Sequence, residues 1–457
     1  VTYAAAVAAL YSLGHELASP KQKFDLRNME ILAEAMGHPE RRFPSVLIAG
    51  TNGKGSTSAT LAAILEAAGY RTGLYTSPHL VKINERIQIL DSGGVEPISD
   101  PEFTEIYGRV IATGEQLVRA GKLAQPPSFF ETMTAMAFEY FASTGVDIAV
   151  LEVGMGGRLD ATNIVTPVVS VITDVSLDHQ NYLGNTISEI AREKAGIIKE
   201  NGVLVTLPQH PQANDVIGQV ATERNARGVS ATRYVPNVSP GAVKFDALRP
   251  IAHQTGAFFR SRYFLEVMNE AILIETPLIG RHQLRNVALA IATAEELNQH
   301  GFTISAQQVA TGVAQTRWPG RFQFIARTHA HPDCILDVAH NPAGAWALRS
   351  ALSENFDDRP ITLVFGAMRD KAIPEMLQIL APVVNELVLT HADTPRAANE
   401  LDIKQMEPRL TTDAIMTQNV TDALAQATRI TPENGLVVIT GSIYVVGAAL
   451  AAWADPV

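Results

Sequence analysis

A lysine set among glycines, Gly50-Thr51-Asn52-Gly53-Lys54-Gly55-Ser56-Thr57, is the densest chemical signal in the chain. Apolar Val46-Leu47-Ile48-Ala49 precedes it as a short buried strand, and small and apolar residues from Ser56 to Ala68 follow as a helix closed by Gly69. Strand, glycine turn and helix N-terminus make a site for an anion. Backbone N–H groups point inward, the helix dipole favours negative charge and Lys54 adds a full positive one. Ser56 or Thr57 can offer a hydroxyl to magnesium or to a phosphate oxygen. The strict phosphate-loop pattern is not met, because Ile48 stands where it wants glycine and Gly55 follows the lysine. An ordinary turn with a solvated lysine would need glycine density and lysine position to coincide by accident. The reading is a nucleotide phosphate site.

Other reactive side chains stand at predicted strand ends. Glu152 closes the apolar run Ile148-Ala149-Val150-Leu151. A carboxylate there either pairs with a lysine or ligates magnesium, and beside a phosphate loop the metal is favoured. Ser176-Leu177-Asp178-His179 follows the next apolar run; by itself His179 reads as a hydrogen-bonding loop residue. Spacing alone makes Lys194 a surface lysine on a helix, and the local context of Ser77 decides nothing. Later in the chain, Trp318-Pro319-Gly320-Arg321 and Asp337-Val338-Ala339-His340-Asn341-Pro342 are the dense polar points. Asp337 and His340 are equally a capping aspartate and a turn histidine, or groups that close over a nucleotide.

The elements that must hold these residues read as α/β. Apolar strands ending at Gly50, Thr76, Glu152 and Asp174, separated by helices, imply a mostly parallel sheet with its ligands at the strands' carboxyl ends. Two helices around a loop at residues 19–25 precede it, and residues 128–144 read as a helix with a buried stripe. Periodicity weakens over residues 208–277, where 258–265 and 271–275 suit antiparallel strands. An alanine-rich helix runs to about residue 300. The pattern restarts beyond 301–316, giving expected domains of 1–305 and 306–457. Strands are expected at 322–326, 335–338, 361–365, 386–390 and 436–440, without a dinucleotide fingerprint.

Composition bounds the function. The 457 residues carry 46% hydrophobic and 18% charged side chains, ordinary for a globular enzyme of two or three domains. A net charge of −11 without a basic block argues against a nucleic-acid surface. No apolar run spans a bilayer, and no signal-type segment opens the sequence, so a cytoplasmic protein is expected. The single cysteine, Cys334, forms no intramolecular disulfide and suits a reducing compartment.

Taken together the motifs resemble the folylpolyglutamate synthase family, with its bifunctional dihydrofolate synthase members, within the Mur ligase superfamily. The matching runs are residues 50–56 (GTNGKGS), 76–87 (TSPHLVKINERI), 152–163 (EVGMGGRLDATN), 176–184 (SLDHQNYLG) and 192–198 (REKAGII). Residues 280–286, 319–323 (PGRFQ), 337–342, 365–371 and 440–447 (TGSIYVVG) follow in the family's order. Leu47 and Val338 depart from it, where a histidine and a glycine are usual; both lie off the reacting groups.

The resemblance implies an N-terminal P-loop three-layer α/β domain, a smaller C-terminal Rossmann-like domain, and ATP between them. It implies Mg²⁺ on Ser77, Glu152 and His179, and a carbamylated Lys194 supporting the metal. ATP contacts are implied at Asn52, Gly53, Lys54, Gly55, Ser56, Thr57, Asn286, Arg321 and Asp337, with His340 beside the transferred phosphate. Phe129, Phe130, Arg158 and Asp160 are implied on the pterin side. The expected reaction joins L-glutamate to dihydropteroate or to tetrahydrofolate (poly)glutamate through an acyl phosphate, in a monomer. The rival readings are a Mur-type ligase of cell-wall precursors and a non-catalytic ATP-binding module.

Overall fold

The computed structural model describes residues 1–14, 25–236, 244–247 and 259–454. Most of the loop expected at residues 19–25 therefore lies outside the described residues, as does part of the stretch 208–277. The chain divides into two compact units. The first comprises residues 1–236, 264–273 and 285–316, and the second residues 237–263, 274–284 and 317–457.

The first unit is built on an eight-stranded sheet. In chain order its strands are β1 (Ser45–Ala49), β2 (Thr72–Tyr75), β3 (Ile87–Asp91), β4 (Gly94–Pro97), β5 (Ile148–Glu152), β6 (Val169–Ile172), β7 (Val203–Thr206) and β8 (Arg227–Ser230). They lie side by side as β4-β3-β2-β5-β1-β6-β7-β8. Strands β2 to β8 of that order run parallel, while β3 pairs antiparallel with both β2 and β4. The central parallel strands are mostly apolar, and every residue of β1, β2, β5 and β6 is buried, as both faces of such a sheet must be.

Helix Lys54–Ala67 follows β1, and helix Phe129–Thr144 leads into β5. Ser128 caps the latter by accepting from the Glu131 amide while Glu131 reaches back to the Ser128 amide. Helix Ala306–Gln315 packs along Lys54–Ala67 closely enough that a Cβ on Gly312 would stand 2.4 Å from Ile64 Cα. The unit carrying the phosphate loop therefore runs to Thr316.

Two features differ from the periodicity, and a third agrees with it. Helix Pro211–Glu223 and strand β8 fall in the stretch 208–277 where periodicity weakens, and helix Asp100–Arg119 and strand β7 are additions to the expected elements. The segment after Ser77 is more than a loop, because it folds into the 3₁₀ turn Ile83–Arg86 and the β3–β4 hairpin. The expected pair of later strands is present as β10 (Phe259–Val267) and β11 (Glu270–Thr276), with β9 (Lys244–Ala247) pairing antiparallel to the start of β10.

The second unit holds a six-stranded sheet of β12 (Gln323–Ile325), β13 (Asp333–Leu336), β14 (Ile361–Phe365), β15 (Glu386–Leu389), β16 (Ile415–Met416) and β17 (Leu436–Thr440). The order is β12-β13-β17-β14-β15-β16, parallel except for edge strand β12. Cys334 is buried in β13, where burial and nearby Asp333 push its thiol up to about 12. Among the described residues no helix is long and apolar enough to cross a membrane.

Candidate active site

The sheet order brings the carboxyl ends of β2, β5, β1 and β6 into one row. Ser77, Glu152, the Gly50–Gly53 turn and Asp174–His179 leave these four adjacent ends, so the predicted convergence of loaded loops is present. Glu152 is buried, and its Oε2 accepts from the Ser77 amide at 3.2 Å.

The glycines of the turn answer to close neighbours. Gly53, the N-cap of helix Lys54–Ala67, has φ +90°, and a Cβ there would lie 2.2 Å from Asn286 Oδ1. A Cβ on Gly50 would lie 1.7 Å from Thr173 Oγ1, which donates to the Asn52 carbonyl at 2.8 Å. The amides of Thr51 and Asn52 both donate to the Asp174 carbonyl, at 2.7 and 3.3 Å. Thr51 Oγ1 donates to Ser176 O at 3.0 Å, and Asn52 Nδ2 donates to Ser176 Oγ at 3.0 Å. Two chain segments thus clamp the turn from below. Lys54 folds back so that Nζ donates to Gly50 O at 3.2 Å and Thr51 O at 3.3 Å. Ser56 and Thr57 are buried, and Thr57 Oγ1 donates to the Asn286 carbonyl at 3.4 Å.

Lys194 is not a surface lysine. It is buried, with Nζ donating to Gly50 O at 2.7 Å, so both lysines share one carbonyl of the turn. Burial, reinforced by the Lys54 charge, lowers its ammonium to about 7. The Gly154–Asp160 turn packs on the end of its helix, Ile187–Ala195. A Cβ on Gly157 would meet the Glu193 and Lys194 carbonyls at 2.8 and 2.9 Å, and the Arg158 amide donates to Glu193 O at 2.8 Å. A glycine-rich loop after Glu152 is therefore a packing requirement for placing Lys194.

The remaining predicted residues of this unit divide. Asp160 is buried and accepts from the amides of Gly154, Met155 and Thr162 at 3.0–3.1 Å, so it fixes the loop from within; burial raises its carboxyl above the usual range. The Arg158 side chain pairs with Glu193 at 2.9 Å on the surface. Phe129 is buried against Tyr11, while half-buried Phe130 lies over Gly154 and tilts against Tyr75. His179 has a left-handed backbone, and its amide donates to its neighbour Asp178 at 2.8 Å. Ser77 thus meets Glu152, while His179 meets Asp178.

In the second unit Asp337 directly follows β13 and is buried. It accepts from the Phe322 and Ala339 amides at 2.8 and 2.9 Å; burial raises its carboxyl, and the Arg321 and His340 charges oppose the rise. His340 Nδ1 lies 2.9 Å from the Val338 carbonyl, so Nδ1 carries the proton and Nε2 is left as the other face of the ring. Asn341 caps helix Pro342–Phe356. His282, which the residue types did not single out, stands near Arg321, and burial first and that cation second hold it down to about 4.

The chain matches the family model for the Mur ligase middle domain over residues 105–294, and that for the Mur ligase, glutamate ligase domain over residues 320–443. It is 36% identical over 421 residues to the dihydrofolate synthase/folylpolyglutamate synthase of Bacillus subtilis, covering 92% of each chain. To that of Mycobacterium tuberculosis it is 35% identical over 473 residues, covering 97% of this chain and 93% of the other. The solved folylpolyglutamate synthase of M. tuberculosis complexed with ADP and AMPPCP superposes with a TM-score of 0.82 at 32% identity, over 99% of both chains. A solved FPGS–AMPPCP–folate complex gives 0.82 at 32% identity over all of both.

An ATP-dependent ligase is thus the class that fold and site define. The chain belongs to the folylpolyglutamate synthase/dihydrofolate synthase family of that class.

Proposed function

We propose that this ligase joins L-glutamate to the carboxylate of dihydropteroate, and to that of tetrahydrofolate or its polyglutamates, through an acyl phosphate. The observation that carries the reading is the clamped Gly50–Lys54 turn, set in a chain similar along its whole length to enzymes named for these reactions. A carboxylate is a poor acyl donor because its leaving group would be oxide. Transfer of the γ-phosphoryl group to a carboxylate oxygen yields the acyl phosphate and ADP. The glutamate amine then attacks the carbonyl carbon, loses a proton, and inorganic phosphate leaves with the C–O bond's electron pair.

In this scheme Asn52, Gly53, Gly55, Ser56 and Thr57 cradle the phosphates, and Lys54 releases its two carbonyls to meet the charge that develops on transfer. Asn286, Arg321 and Asp337 serve the nucleotide, and His340 faces the transferred phosphate. Phe129, Phe130, Arg158 and Asp160 serve the pterin side, with half-buried Phe130 and exposed Arg158 accessible for direct contact and buried Phe129 and Asp160 acting through loop shape. Ser77, Glu152 and His179 are our candidates for holding Mg²⁺, which when bound would neutralise phosphate charge. Their donor set fits, since one carboxylate, one hydroxyl and one imidazole leave positions for water and phosphate oxygens.

A lysine lowered to about 7 has the neutral amine that carbamylation by carbon dioxide requires, which supports that modification of Lys194. A monomer working in the cytoplasm completes the proposal. The test is ATP-dependent phosphate release from the purified protein, with each substrate omitted in turn and the product weighed by mass spectrometry. Each pterin acid should gain glutamate. Turnover without glutamate, or none with either pterin, overturns the reading.

A further inference from the structure

Helix Tyr3–Ser12, the segment after β2 and the start of helix Phe129–Thr144 meet in a cluster whose Tyr11, His79 and Arg86 have no role in the reaction scheme. Arg86 is fully buried at its centre, and its Nε donates to His79 Nδ1 at 2.9 Å. A guanidinium N–H only donates, so Nδ1 carries a lone pair and the imidazole proton sits on Nε2. That nitrogen lies 3.2 Å from Tyr11 Oη, so the imidazole donates and the phenol oxygen accepts. The phenol's own proton is left over, and no hydrogen bond among the described residues uses it.

The ring carrying this spare donor is fixed. It stacks on Phe129 with centroids 5.7 Å apart and planes 20° from parallel, and the Arg86 guanidinium lies 5.3 Å from the Phe129 centroid. The segment that holds His79 is tied down as well: the Leu80, Val81 and Lys82 amides all donate to the Glu85 carboxylate, at 2.7 to 3.2 Å. Tyr11 itself is 40% exposed. An orientation chain running Arg86 to His79 to Tyr11 therefore ends in an oriented O–H at the surface. The Tyr11 ring lies against Phe129, and His79, which orients it, is two residues along the chain from Ser77.

We propose that Tyr11 is a specificity-determining residue that donates a hydrogen bond to a ring carbonyl oxygen of the pterin-bearing acceptor, with His79 and Arg86 as its positioning residues. A flat heteroaromatic ring with an acceptor oxygen on its edge suits a donor mounted on an aromatic stack. The inference rests on the pterin-acid reading given above.

The test is steady-state kinetics together with direct binding of dihydropteroate, followed by its fluorescence. Tyr11→Phe keeps the stack and removes only the donor. It should raise the acceptor KM and dissociation constant roughly 3- to 10-fold, with kcat and the ATP KM unchanged. His79→Leu, which breaks the chain, should move the same two constants, and His79→Gln, whose amide can replace the Nε2–H, should recover part of the loss. A merely structural role would lower the melting temperature without this selective split. An acceptor KM within 1.5-fold of wild type in Tyr11→Phe, with the wild type turning over normally, overturns the inference alone. A wild type that binds and converts no pterin acid overturns it together with the broader reading.

Discussion

Replacing Gly53 by alanine should disable the phosphate loop through two separable effects. The first is backbone strain, since φ +90° costs a residue with a Cβ about 1–2 kcal/mol. The second is steric: the new methyl would lie 2.2 Å from Asn286 Oδ1, and roughly 1 Å or more of movement is needed to restore van der Waals contact. Either Asn286 swings away or the turn shifts. A displacement of that size at a reacting array costs on the order of 100-fold in rate. We expect kcat/KM for ATP to fall by about two orders of magnitude and the melting temperature to drop. Adding Asn286→Ala should restore part of the stability, because it relieves the clash and leaves only the strain. The two changes are therefore non-additive. Phosphate release and thermal unfolding on the two single variants and the double variant measure both effects. Gly53→Ala with kcat/KM within threefold of wild type, or a strictly additive double variant, would refute the reasoning.

Three further outcomes follow from the same geometry. The folded Lys194 titrates at about 7 against 10.5 for the free side chain, so between these values the unfolded chain binds more protons and stability rises with pH. The burial cost is complete below about pH 7 and gone above 10.5, with a slope of up to about 1.4 kcal/mol per pH unit between them. Lys194→Met should thus stabilise more at pH 7 than at pH 9 in urea unfolding, and an equal effect at both would contradict the assignment. Glu152→Gln should raise the apparent Mg²⁺ activation constant about 10-fold or more, with activity partly regained at high magnesium, as a magnesium titration would show. Asp337→Ala strips the acceptor from two buried amides at about 1–3 kcal/mol each, so calorimetry should show a melting temperature lower by about 5 °C or more.

What the sequence disclosed followed from where the physics is local. A run such as Val46 to Ala49 has no polar atom to solvate, so it reads as a buried strand, and a carboxylate ending such a run, Glu152, marks the sheet's ligand edge. The helix after the turn begins at Lys54 rather than Ser56, because Gly53 takes the left-handed conformation and serves as N-cap. Asn286 against Gly53 joins residues 233 positions apart, and no spacing rule reaches that far. The role of Asp174 is carried by its backbone carbonyl, which residue type cannot disclose. Lys194 looked solvated because its helix is amphipathic and charged. Only the packing of Gly157 and Arg158 on its last turn buries it. Strand β8 is illegible for the opposite reason, since it is largely exposed and has no apolar alternation to read. The cluster of Tyr11, His79 and Arg86 likewise needs three elements to meet before its hydrogen-bond chain exists.

The acyl phosphate is tested most directly by labelling the acceptor carboxylate with ¹⁸O and following the label through one turnover with ATP and L-glutamate. The account predicts one ¹⁸O atom in the inorganic phosphate released, because the oxygen bonded to the γ-phosphorus leaves with it. Label retained entirely in the amide product, or recovered in AMP, would contradict it.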